Sequence, residues 1–187
     1  MKSRLYLLCG ILFSAFMFSQ SSSGEKMNIV KTNVTAYAFR NINLTYERAF
    51  NKWFSISAGF GTMPMGGVPF LNTIVKDADK EFTDMQVSNT NFTIETRFYL
   101  GSGYGHGFYF APYYRNTSFK AHNLIYHFQD SNNLDQTATI SGKANGNSVG
   151  LLMGTQLFLG KKDNWVLDLW IIGGHYGSGK GDFTVLS

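Results

Sequence analysis

The chain has 187 residues, one domain's worth, with 16 basic and 12 acidic residues and a single cysteine. Charged residues make up 15 % of it, against a usual quarter, while 17 Phe, 10 Tyr and 20 Gly stand against only 3 Pro. That balance suits strands and turns. With no basic run longer than Lys161-Lys162, nucleic acid is not an expected partner.

The N-terminus reads as an export signal. Lys2 and Arg4 precede an apolar run from Leu5 to Phe18, and Ser19 to Ser23 then turns small and polar. The run is too short for a membrane helix, which needs about 20 residues. Cleavage is expected near Gln20, leaving residues 21–187 as the mature domain. Cys9 lies inside the apolar run, so the mature chain has no disulfide, thiolate metal site or cysteine nucleophile. Without Lys2 and Arg4, 14 basic residues face 12 acidic ones.

The mature sequence then alternates with a period of two. Asn28 to Phe39 is the expected first strand. From Ile42 to Phe50, Ile42, Leu44, Tyr46 and Phe50 alternate with Asn43, Thr45, Glu47 and Ala49, and only Arg48 breaks the apolar face. Between Trp53 and Phe60, aromatic and aliphatic residues alternate with Ser55, Ser57 and Gly59. Between Asn91 and Leu100, Phe92, Ile94 and Phe98 oppose Thr93, Glu95, Arg97 and Tyr99. Phe108 to Arg115 is aromatic on both faces, Ser148 to Leu159 alternates again, and Trp165 to Ile172 carries one charge, Asp168. Seven strands are thus expected, with a short helix as an alternative for Asn72 to Met85.

The connections set the class. Asn51-Lys52, Gly101 to His106 and Gly160 to Asn164 are short. Gly61 to Thr90, Asn116 to Asn147 and the stretch after Gly173 read as long polar loops, and the link at Arg40-Asn41 is the short exception. Short turns on one rim and long loops on the other predict an all-β, antiparallel up-and-down transmembrane β-barrel. The bulky apolar face would meet lipid, because the polar faces are small and glycine-rich, as a cramped interior requires. Phe50, Trp53, Phe98, Tyr99, Phe108 and Trp165 gather at segment ends, where an interfacial girdle would lie. The expected location is the outer membrane of a Gram-negative bacterium, with outer-membrane lipid as partner and a surface partner met through the long loops. Such barrels have an even strand count, so seven strands predict an eight-stranded type with the last strand missing from a truncated chain.

Three stretches, NINLTYERAFNKWFSISAGFG, TIETRFYLGSGYGHGFYFAPYYR and SVGLLMGTQLFLGKKDNWVLDLWIIGGHYGSGK, together resemble a domain-of-unknown-function family of small envelope barrels with OmpA/OmpX-like architecture. The resemblance covers most of the mature chain and rests on structural motifs. It implies an outer-membrane barrel and carries no activity with it.

Two glycine motifs invite chemistry and fail on inspection. GGHYGSGKG, Gly173 to Gly181, has phosphate-loop spacing, but Gly181 replaces the magnesium-binding hydroxyl and no helix can follow, so it is expected as a loop. GSGYGHG, Gly101 to Gly107, joins antiparallel strands and opens no helix. The histidines His106, His122, His127 and His175 are placed in loops or near rims, at no metal-ligand spacing. No catalytic residue, cofactor or metal is therefore expected. What stands out is a set of charges on the interior faces: Glu47, Glu95, Arg97 and Asp168, with Arg115 near a rim. Buried charges must pair, so these five are expected to plug the barrel, and the function to be structural or surface-interacting and not enzymatic. A rim-located lipid-modifying enzyme and a soluble, lipocalin-like exported carrier are the alternatives.

Overall fold

In a computed structural model, residues 27–70 and 84–186 are described, apart from 102, 130, 132, 162 and 164. One antiparallel sheet holds seven strands: β1 (Asn28–Lys31), β2 (Ile42–Asn51), β3 (Phe54–Gly67), β4 (Gln86–Tyr99), β5 (Gly107–Gln129), β6 (Asp135–Leu159) and β7 (Trp165–Leu186). Each strand pairs only with its neighbours in the chain. The fold is all-β and up-and-down, and the sheet is open at β1 and β7, as in a barrel lacking one strand. It curls strongly all the same. Lys31 on β1 places its ammonium 2.6 Å from the Asp168 carboxylate on β7.

Period-two alternation sorts the side chains onto two faces. One row crosses the whole sheet through Ile29, Glu47, Ser57, Glu95, Tyr113, Gly150 and His175. Its Glu47, Ser57 and Glu95 are buried. The next row, Val30, Tyr46, Ala58, Ile94, Tyr114, Val149 and Tyr176, lies on the opposite face, and all but Ala58 are large exposed apolar or aromatic residues. The concave face is therefore polar and the convex face apolar. Arg48, the break in that convex face, donates to Asn28 Oδ1 at 2.7 Å. Near the short-turn rim, Phe50, Trp53, Phe54, Phe98 and Phe110 form a chain of ring contacts on the outside, 5.4–6.4 Å between centroids. Tyr99 is not part of this belt. It is buried on the concave side.

The long polar stretches are mostly strand. β3 runs on to Gly67, β5 to Gln129, β6 starts at Asp135, and β7 continues from Gly173 to Leu186. Conversely, the first strand stops at Lys31. The chain then turns through α1 (Val34–Tyr37), capped by Asn33 Oδ1 accepting from the Ala36 amide. The first connection thus runs from Thr32 to Asn41. That restores the alternation of short turns and long links. The segment read as a short helix, 72–85, falls almost wholly outside the described residues.

Towards the far end of the sheet the polarity inverts, first where β3 and β4 still pair beside β5 and then past His122, where β5, β6 and β7 continue alone as a three-stranded blade. Convex positions become Ser118, Lys120, Lys143, Asn145, Lys180 and Asp182, while the concave side gains Phe119, Tyr126, Phe128 and Phe183. A bulge between Ala121 and Leu124, with Asn123 at φ 58°, shifts the phase of β5 within the blade.

Glycines make room on the concave side. A Cβ on Gly154 would lie 2.5 Å from the Tyr109 hydroxyl oxygen and 2.7 Å from the Leu169 carbonyl oxygen, so the Tyr109 ring sits where a side chain would be. Gly174, by contrast, has nothing within 4 Å of that position. Gly154→Val should lower stability by about 1–3 kcal/mol through overpacking, and Gly174→Val by no more than about 0.5 kcal/mol. Urea titration of the folded fraction compares the two.

Candidate functional site

The concave face is organised around Arg97, which is 1 % exposed. Its Nε and Nη2 donate to Glu95 Oε2 at 2.8 and 2.6 Å, and its Nη1 donates to Asp168 Oδ2 at 2.6 Å. The same Nη1 lies 3.4 Å from Glu47 Oε2. A guanidinium keeps its proton under all ordinary conditions, so burial obliges the fold to supply acceptors. Three carboxylates from β2, β4 and β7 do so.

A second cation completes the cluster. Lys31 Nζ donates to Glu47 Oε2 and Asp168 Oδ2, both at 2.6 Å, and to Gln156 Oε1 at 2.8 Å. All three of its N–H bonds are used. The second oxygens of Glu47 and Asp168 take neutral donors: Glu47 Oε1 accepts from Ser55 and Tyr99, and Asp168 Oδ1 from Tyr109, each at 2.6 Å. The Tyr109 ring also lies under the Arg97 guanidinium, 4.4 Å away. Gln156 Nε2 donates to the Gly105 carbonyl at 2.6 Å. Gly105 has φ 62°, a left-handed conformation that glycine adopts without strain, and this draws the β4–β5 turn in under the cluster. The GSGYGHG glycines thus serve a turn that closes the short-turn rim.

Of the five charges picked out in the sequence, Glu47, Glu95, Arg97 and Asp168 come together. Arg115 does not. It sits mid-wall, paired in register with Thr93 and Ser148. Its Nε donates to Thr93 Oγ1 at 3.0 Å, and its guanidinium lies over Tyr113, 5.3 Å from the ring centroid. The Glu95–Tyr113 row lies between it and Arg97. Sequence reasoning missed Lys31, Tyr99 and Tyr109 as members. Lys31 closes a strand only four residues long, where alternation gives almost no signal. The polar phase of β6 contains Gln156, but nothing in the sequence marks its partners.

The glycine motif Gly173 to Gly181 lies within β7, paired along its length with β6, and is no loop. His122, His127 and His175 likewise lie on strands, and His106 stacks on Phe158. Among the described residues no group of three His, Cys, Asp or Glu side chains is placed to hold a metal ion. Chemically the cluster is a network of ion pairs and hydrogen bonds that ties β1, β2, β4, β6 and β7 together. In comparisons with known proteins, no family model, no curated protein and no solved structure matches the chain.

Arg97→Met removes the hub, strands Glu95 and leaves Glu47 and Asp168 to Lys31 alone. It should cost about 3–5 kcal/mol, the usual penalty for breaking a buried pair. Adding Glu95→Gln should restore part of this, giving a coupling of about 1 kcal/mol or more in a double-mutant cycle read by urea unfolding. Simple additivity would mean that Arg97 and Glu95 do not stabilise one another.

Proposed function

We propose that this protein is an outer-membrane β-barrel with a structural or surface-interaction role, whose interior is plugged by the Arg97 cluster. One observation carries the reading: the polarity of the sheet is reversed relative to a water-soluble barrel. Charges and amides fill the concave side, while Leu44, Phe60, Ile94, Val149, Leu151 and Met153 are exposed on the convex side. In water, such a face would be a large unpartnered apolar patch. A carrier cup of the soluble kind would turn these residues inward.

The dimensions agree. From Ile42 to Phe50 the convex face of β2 spans eight residue steps, roughly 27 Å along the strand. A tilt of about 40° reduces that to a height of about 21 Å, near the apolar band of about 25 Å in such barrels. The aromatic belt around Trp53 and Phe98 marks one boundary, and the change to Ser118, Lys120 and Lys143 on the convex face marks the other. Among the described residues no helix is long and apolar enough to cross a membrane. The basic, apolar and small-residue order of residues 2–23, read as an export signal, points the same way. The blade of β5, β6 and β7 would then stand clear of the lipid as the surface-contact element.

Ile94→Arg places a charge mid-band on the convex face and should cost roughly 2–4 kcal/mol of insertion, whereas Thr93→Arg points inward and should be milder. Outer-membrane fractionation with heat-modifiable gel mobility measures both. Recovery of the unmodified protein in the soluble periplasmic fraction would overturn the reading.

A further inference from the structure

Arg115 is the unexplained charge of the concave face. Apart from the single Nε bond to Thr93, it makes no hydrogen bond, and it belongs to none of the ion pairs among the described residues. Both terminal nitrogens of its fork are left open. They border a cavity of about 270 Å³, which Glu95, Tyr113, Leu152, Trp170 and His175 also line. The cavity lies just above the plug. The next inward-facing row of the wall, Thr117, Gly146 and Gly179, is small and uncharged, and Phe119 and Phe183 follow above it.

The electrostatics of this cavity are two-sided. Below and to one side, the plug sets two cations, Lys31 and Arg97, against three carboxylates, Glu47, Glu95 and Asp168. It is therefore one positive charge short, and Glu95, whose Oε2 is held by Arg97, is its member that lines the cavity. On the other side stands Arg115, which pairs with no carboxylate among the described residues. A simple anion would satisfy Arg115 but add to the excess negative charge below. A simple cation would do the reverse. A molecule carrying both charges a few ångströms apart satisfies each wall and leaves the interior neutral. Between the walls, Tyr113, Leu152 and Trp170 offer an apolar and aromatic surface for an uncharged body.

We propose that this cavity binds a small zwitterion of the α-amino-acid type with an apolar side chain. Its carboxylate is held by the Arg115 fork, a geometry suited to paired N–H bonds. Its ammonium faces Glu95 and the Tyr113 ring, and its side chain lies against Leu152 and Trp170. The site is independent of what surrounds the convex face and would survive failure of the membrane reading.

The test is titration calorimetry on the full chain, refolded in neutral detergent, with L-phenylalanine and L-leucine as probes. Saturable binding with a Kd below about 1 mM is expected, in the range open to ligands of this size. The methyl ester lacks the carboxylate charge and 3-phenylpropionate lacks the ammonium. Each should bind phenylalanine's site roughly tenfold or more weakly, the weight of one charge-assisted hydrogen bond. Arg115→Gln should produce the same loss with folded mobility retained, and Arg115→Lys a smaller one. No binding of either amino acid to the native chain would overturn the proposal. So would equal binding of phenylpropionate, which would remove the role of Glu95, or undiminished binding to a folded Arg115→Gln variant. If that variant does not fold, the three ligands on the native chain still decide.

Discussion

The buried guanidinium of Arg97 is the constraint on which the rest of the molecule depends. A charge that cannot be neutralised by losing a proton must be met by carboxylates, and no single neighbouring strand offers enough of them. Glu95 comes from its own strand, Glu47 from β2 and Asp168 from β7. Bringing Asp168 to Arg97 requires the sheet to roll, since β7 lies three strands from β4 in the sheet order. Lys31 then ties β1 to the same carboxylate. The curl is thus written into charge pairing on the concave face as well as into strand twist.

That view explains why the cluster is polar to saturation. Every oxygen of Glu47 and Asp168 has a donor, and both tyrosine hydroxyls point in to supply two of them. Tyr109 can lie there because Gly154 opposite lacks a side chain. The small residues of β6 and β7 are therefore partners of the large ones on β4 and β5, and the glycine-rich composition follows from a crowded interior. Ser57 Oγ, in the row between Glu47 and Glu95, is buried without a hydrogen bond, so satisfaction is concentrated at the charges.

The faces of the central strands were legible because alternation over eight or more residues overdetermines them. Glu47, Glu95 and Arg97 fall on the inner phase by count alone, and so does Asp168. The blade was hidden for a physical reason. Its convex residues are polar, its concave ones apolar, and the bulge at Ala121 to Leu124 breaks the phase. A reader following apolar residues outward along β5 therefore loses the strand at Asn116. Arg115 shows a different limit. Its face was read correctly, but facing inward does not bring two side chains into contact. Whether it reaches Arg97 depends on strand offset, and single-chain alternation does not encode that offset.

The distribution of contacts also orders the assembly. All strand pairings join elements adjacent in the chain, so each hairpin can form from local sequence at small entropic cost. The cluster is the exception, because Lys31 and Asp168 are 137 residues apart and Arg97 and Asp168 are 71 apart. Those bonds become available only after the hairpins have merged and rolled. Until then Arg97 sits on an open sheet where water can solvate it, and the roll is what dries it. Its pairing is consequently a late, cooperative event. It rewards the curled form over any flat one, and it links the two edge strands through Lys31 and Asp168.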